Sequence, residues 1–196
     1  GYILTVQDIS ERMTQQERLE RQARELELLD RVRTVVASQL NLSEVMQHTV
    51  KAVAEVFGYK LVSVYLHQQD ELVLQYQVGY PKVIERVPVS KGVIGKVLRS
   101  GQPALITSTK ENQDFLEAFE GICSEVAVPL VSQGKVTGVL NLESTEHVLG
   151  PEDLRVMMSL SEHIGMAIER AKLYDAISHN EKQLRLLTEN MNDLIC

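Results

Sequence analysis

The chain has 196 residues, 44% of them hydrophobic and 24% charged, with 5 prolines and no tryptophan, enough for one globular domain of about 100–150 residues plus flanking elements. A formal net charge of −7 argues against phosphate-backbone binding and so against a nucleic-acid partner. No run of about 18 apolar residues could span a bilayer, and the opening GYILTVQDIS lacks the basic region and cleavage site of a signal peptide.

The stretch from Asp8 to about Leu40 has no proline or glycine, and Leu19, Ala23, Leu26 and Leu29 draw a narrow apolar stripe along a charged helix. A second helix follows, with Ser43 as its cap, an apolar side of Val45, Val50, Val53, Ala54 and Phe57, and Gly58 as its stop. The period then drops to two. KLVSVYLHQ and ELVLQYQVG read as a hairpin joined at QQDE, and SEVAVPLVS and KVTGVLNLES as a second joined at SQGK. Between the hairpins, SKGVIGKVLRSG predicts a short helix from about Val93 to Ser100, PALIT a short strand, and NQDFLEAFEG another short helix. After the last strand, Pro151 opens a long helix without a breaker. Its second half keeps a heptad register, with Ile177, Leu184 and Met191 at one position and Leu173, Leu187 and Leu194 at the other. That pattern predicts a dimer seam.

Alternation sorts the strands into two faces. Val62, Val64, Leu66, Leu72, Leu74, Val126, Val128, Leu130, Leu140 and Leu142 form an apolar face, which the long helices must cover. Ser63, Tyr65, His67, Gln75, Glu125, Ala127, Asn141 and Glu143 form a mixed one. This second face is either a wet antiparallel surface or a pocket roofed by the segment 79–121.

The order of helix, two strands, long cover, two strands and long helix resembles the GAF domain. The resemblance rests on KGVIGKVLRSGQPALI, SEVAVPLVSQGKVTGVLNLES and PEDLRVMMSLSEHIGMAIERAKLYD. It implies an α+β fold: a six-stranded antiparallel sheet with long helices on one face and a ligand-pocket cover on the other. The ends resemble PAS segments, GYILTVQDISERMTQQERLE the end of one domain and EKQLRLLTENMNDLIC the start of another. The chain then reads as a piece of a longer protein, with 1–27 closing a PAS-like domain, 28–175 the GAF-like domain, and 176–196 a linker helix leading into the next. Family membership implies a regulatory sensor module in a multidomain signalling protein, typically a sensor histidine kinase, with diguanylate cyclases and phosphodiesterases as alternatives. Homodimerisation through the N- and C-terminal helices would carry the signal.

Residues that could do chemistry give no catalytic set. Cys123 has no local base, and Glu125 nearby would raise its thiol pKa. Ser124 follows it where bilin-binding relatives carry a histidine, so bilin attachment is not expected. With Cys123 lacking resolving partners, neither is a GAF-like methionine-sulfoxide reductase. Two cysteines, one terminal, make no disulfide framework and suit a reducing, cytoplasmic compartment. No CxxC or HExxH ligates a metal, and the five histidines share no ligand spacing. His67 reads as a strand end rather than a haem ligand, and His163 as a packing residue rather than a phosphoacceptor. KGVIGK lacks the Walker spacing. NQDFLEAFEG keeps Asn112, Phe115 and Phe119 of the cyclic-nucleotide signature but not its lysine or its Asp-Glu pair, which argues against that ligand. The predicted pocket is Tyr65, Glu125 and Asn141 from the strands, with Ile94, Phe115, Phe119 and Cys123 from the cover. A buried Glu125 needs a partner there, favouring a ligand with hydrogen-bond donors or positive charge. The competing expectation is a ligand-free dimerisation spacer.

Overall fold

A computed structural model describes residues 42–193 continuously and some helical positions between 13 and 30. Within the last helix, side chains are described only as far as residue 171 and at 173. Helix α1 (Leu42–Phe57) leads into strands β1 (Leu61–Gln68), β2 (Glu71–Val78) and β3 (Arg86–Pro88). Helix α2 (Gly92–Ser100), strand β4 (Ala104–Ile106) and a 3₁₀ turn (Thr109–Glu111) come next. Strands β5 (Ser124–Ser132) and β6 (Lys135–Ser144) and the long helix α3 (Pro151–Asp193) complete the chain. The strands form one sheet in the order β3-β2-β1-β6-β5-β4, and every pairing is antiparallel. This is the expected α+β architecture.

One face of the sheet carries the main core. Val62 and Val64 of β1, Val126, Val128 and Leu130 of β5, and Leu140 and Leu142 of β6 are buried against Val50 and Val53 of α1 and Met157, Leu160 and Ile164 of α3. Each such side chain contributes about 1.5–3 kcal/mol by leaving water. The N-terminus of α3 is fixed by Asp153, which accepts from the Gly150 amide at 2.8 Å and from the Tyr59 hydroxyl at 2.6 Å. Truncation to Tyr59→Phe is therefore expected to cost about 1–2 kcal/mol, read as a lowered urea midpoint at unchanged slope.

Three expectations need correction. Leu72 and Leu74 pack on the opposite face, with Tyr65, Val87 and Ile94. The β1–β2 register steps from Val64↔Tyr76 to Tyr65↔Leu74, so Gln75 is an extra residue and the alternation inverts there. Strand β3 supplies the sixth strand that the resemblance implied, as a short edge beside β2. NQDFLEAFEG forms no helix: the Asn112 side chain takes the Asp114 amide at 2.9 Å, a local turn that competes with helical bonding. Finally, Ser43, expected as the cap, is itself helical within the described helix Leu42–Phe57.

No described helix is long and apolar enough to cross a membrane. Residues 1–12 of the PAS-like opening, Leu29 of the predicted N-terminal stripe and the side chains of the heptad beyond Leu173 lie outside the described residues.

Candidate functional site

The sheet face opposite α1 and α3 is covered by α2 and the loops on either side of it. Beneath this cover lies a cavity of about 30 Å³, room for roughly one or two waters. Its floor is Tyr65 of β1, Glu125 of β5, and Asn141 and Glu143 of β6, and Tyr80, Ile84 and Ile94 stand among its walls. The β ladders explain the floor. Ser63 pairs with Asn141, Ala127 with Asn141, and Glu125 with Glu143, so period two brings these side chains to one face while Leu140 and Leu142 point to the helices.

Each polar group has a defined environment. The Asn141 carboxamide, with its nitrogen toward β5, donates to Glu125 Oε1 at 3.0 Å and to the Val126 carbonyl at 3.3 Å. Glu125 Oε2 is buried without a partner. Burial pushes the Glu125 carboxyl well above the ordinary carboxylate range, and the neighbouring Glu143 charge adds to this, while the Asn141 bond opposes it. Burial likewise raises Glu143 to about 7, against the lowering effect of its bond to Tyr80. The Tyr65 and Tyr80 phenols are raised, first by desolvation and then by Glu143, so both are neutral donors at physiological pH. Tyr65 donates to the Ile84 carbonyl at 2.9 Å, and Ser63 donates to the Tyr80 hydroxyl at 3.4 Å. Gly79 makes the turn that delivers Tyr80: its φ is +85°, and a Cβ there would lie 1.6 Å from the Lys60 carbonyl oxygen, leaving room for glycine alone.

Of the residues expected from sequence, Tyr65, Ile94, Glu125 and Asn141 meet at this cavity. Phe115, Phe119 and Cys123 do not line it. Phe119 packs edge-on against the outer side of Tyr80, ring centroids 6.2 Å apart, with Phe115 in the same small cluster. Phe115 and Cys123 border a separate open hollow with Thr109 and Glu117. The Cys123 thiol donates to the Ser144 carbonyl at 3.2 Å, and Ser124 Oγ bridges the His147 carbonyl and the Leu149 amide, each at 3.0 Å. Together they clasp the loop between β6 and α3. Glu143 and Tyr80 are the important additions. Glu143 was legible as a mixed-face residue, but Tyr80 sits in a loop where no periodicity speaks.

Other candidates also find ordinary places. His67 is exposed at the end of β1, and His163 Nδ1 lies 2.8 Å from the Ser159 carbonyl of its own helix. Among the described residues no group of three or more His, Cys, Asp or Glu is arranged to hold a metal ion.

A family model described as GAF domain matches residues 39–169. The chain belongs to the GAF domain family. Solved structures agree with this GAF fold. Free methionine-R-sulfoxide reductase from Neisseria meningitidis, determined in complex with its substrate, is 26% identical with a TM-score of 0.71, over 76% of this chain and 90% of that one. The GAF domain of a phosphoenolpyruvate-protein phosphotransferase from Coxiella burnetii is 20% identical with a TM-score of 0.70, over 79% and 98% of the two chains. Among curated proteins, the Nif-specific regulatory protein of Azospirillum lipoferum is 25% identical over 195 residues, covering 87% of this chain and 31% of that protein. The chain thus spans about a third of the relative's length.

Proposed function

We propose that this GAF domain is the ligand-sensing regulatory module of a longer signalling protein. The observation that carries this reading is the two-sided sheet: one face lines a cavity of mostly paired polar groups, and the other seats the helices that leave the domain. On β6 the two roles alternate residue by residue, Asn141 and Glu143 toward the cavity, Leu140 and Leu142 toward α1 and α3. A ligand that favours one strand or cover position over another biases the helix packing through one layer of side chains. Only such a difference in affinity between two arrangements can transmit a signal; tight binding alone cannot.

Regulatory relatives at low identity support the signalling context. A sensor histidine kinase flanked by PAS segments is the narrower form of this reading and draws on the resemblance of the chain ends. Dimerisation through the flanking helices belongs to the same proposal. Leu19 and Leu26, one heptad apart, are 60% and 68% exposed, and Met166 and Leu173, again one heptad apart, are 53% and 51% exposed. Large apolar groups repeating at that interval suit a helix–helix seam. Truncation to residues 40–172 is expected to weaken dimerisation by at least tenfold in sedimentation equilibrium, and an unchanged dimer would contradict the seam.

A reductase role, suggested by the solved neighbours of that activity, is less favoured. Thiol chemistry requires a nucleophilic sulfur at the bound substrate, whereas Cys123 lies outside the cavity and donates to backbone carbonyls. Native mass spectrometry of the purified chain, with an absorbance spectrum of the same sample, tests the sensory reading together with a thermal-shift screen of small metabolites. Retained mass lost on denaturation, or a stabilising compound that perturbs β5 and β6, is the expected result. A bare, colourless chain that no compound stabilises would favour a ligand-free spacer.

A further inference from the structure

The acidic floor of the cavity narrows the ligand's chemistry; this step rests on the sensory reading above. Glu125 and Glu143 face each other as direct partners across β5 and β6 and are only 4% and 6% exposed. Like charges directly opposite each other destabilise a ladder, and a carboxylate removed from water needs partners. Asn141 serves Oε1 of Glu125 and Tyr80 serves Glu143, but Oε2 of Glu125 has nothing. Within the cavity the elements around the pair supply no cation: β1 brings Tyr65, the segment after β2 brings Tyr80, and the α2 side brings Gly92, Val93 and Ile94, while Lys60 and His147 line a separate hollow beside Glu143, where Lys60 pairs with Glu146. No lysine, arginine or histidine is found among the described residues that line the cavity.

These facts discriminate between ligand classes. An anion would meet two acids and no positive charge. An apolar molecule would leave Oε2 of Glu125 unserved. A calcium ion takes about 6–8 oxygen ligands, more than two carboxylates and one amide provide.

We propose that the cavity binds a small primary ammonium cation, its N–H groups donating to Glu125 Oε2 and to the Glu143 carboxylate. The cation's charge relieves the repulsion between the two acids, and a proton held on one of them in the absence of the cation leaves for solvent as the cation arrives. Affinity therefore rises from pH 6 to pH 8. The volume suits the head group with one attached carbon; a longer amine requires the cover around Leu116 and Ala118 to shift.

The test uses the chain itself, titrated with methylammonium chloride and followed by amide NMR and thermal denaturation. Tetramethylammonium chloride, sodium acetate and calcium chloride at matched ionic strength are the comparisons. Methylammonium is expected to raise Tm and shift the amides of β5 and β6, more at pH 8 than at pH 6. Tetramethylammonium, which has no N–H, should do neither. Glu125→Gln and Glu143→Gln, each checked for a native amide spectrum, should weaken methylammonium at least tenfold; either variant suffices if the other fails to fold. Equal responses to methylammonium and tetramethylammonium, or equal affinity in wild type and variants, would overturn the proposal. Acetate or calcium binding at these residues in place of methylammonium would overturn the ammonium class and leave the sensory cavity standing. No response of β5 or β6 to any probe, followed by an empty metabolite screen, would overturn both.

Discussion

The chain is expected to lose stability as pH rises from about 5 to 8, and Glu143→Gln is expected to remove much of that loss. The sign follows from proton counts. In the unfolded chain Glu143 ionises near its ordinary value of 4.5, whereas burial holds it protonated up to about 7 in the folded domain. Between those values the folded state binds more protons, so unfolding becomes easier with every increment of pH. The contribution is complete below the unfolded value and is gone once pH passes the folded one. That interval corresponds to roughly 3 kcal/mol for one carboxyl. Glu125 is displaced in the same direction and adds to the slope. Urea denaturation of both proteins at pH 5 and pH 8 reads the effect: nearly equal stabilities at pH 5, with the glutamine variant ahead by about 2–3 kcal/mol at pH 8. Parallel pH profiles would mean that Glu143 is solvated in solution.

Gly165→Ala is expected to destabilise the domain by about 1–3 kcal/mol, against the usual trend. In a helix interior this substitution ordinarily gains about 0.5–1 kcal/mol. Here α3 lies so close to β5 that the new Cβ would stand 2.1 Å from the Val131 carbonyl oxygen and 3.1 Å from its carbon. Backbone in a paired strand cannot swing aside as a flexible side chain can, so the overpacking cost exceeds the propensity gain. The same displacement would separate α3 from the sheet that floors the cavity, so weaker ligand stabilisation should accompany the lower urea midpoint. An unchanged or raised midpoint would show that the helix is free to slide.

Of these two sites the sequence shows the first and is silent on the second. Period-two patterning placed Tyr65, Glu125, Asn141 and Glu143 on one face because strands without bulges obey it. It misplaced Leu72 and Leu74 because one inserted residue, Gln75, reverses the phase, and no residue type announces a bulge. A lone glycine in mid-helix reads as a weak point until the neighbouring backbone is known. In NQDFLEAFEG, two phenylalanines suggested a pocket wall on a helix. An Asx turn at Asn112 instead sends Phe119 behind Tyr80. Cys123 was expected in the pocket wall, but its partners, the Ser144 and His147 carbonyls, come from the end of β6 and the loop after it, a separation in sequence that no local pattern spans.

Direct titration of the two carboxyls decides most about this site. With glutamate side chains labelled at the carboxyl carbon, NMR from pH 3 to pH 10 follows Glu125 and Glu143, assigned through Glu125→Gln and Glu143→Gln. The expected result is that the pair keeps a proton well above the ordinary carboxylate range, with Glu143 changing near 7. Adding methylammonium should move that step down. Two independent titrations near 4.5, indifferent to the amine, would mean that water and counterions already serve both groups, and the buried acidic pair would not exist as a binding site.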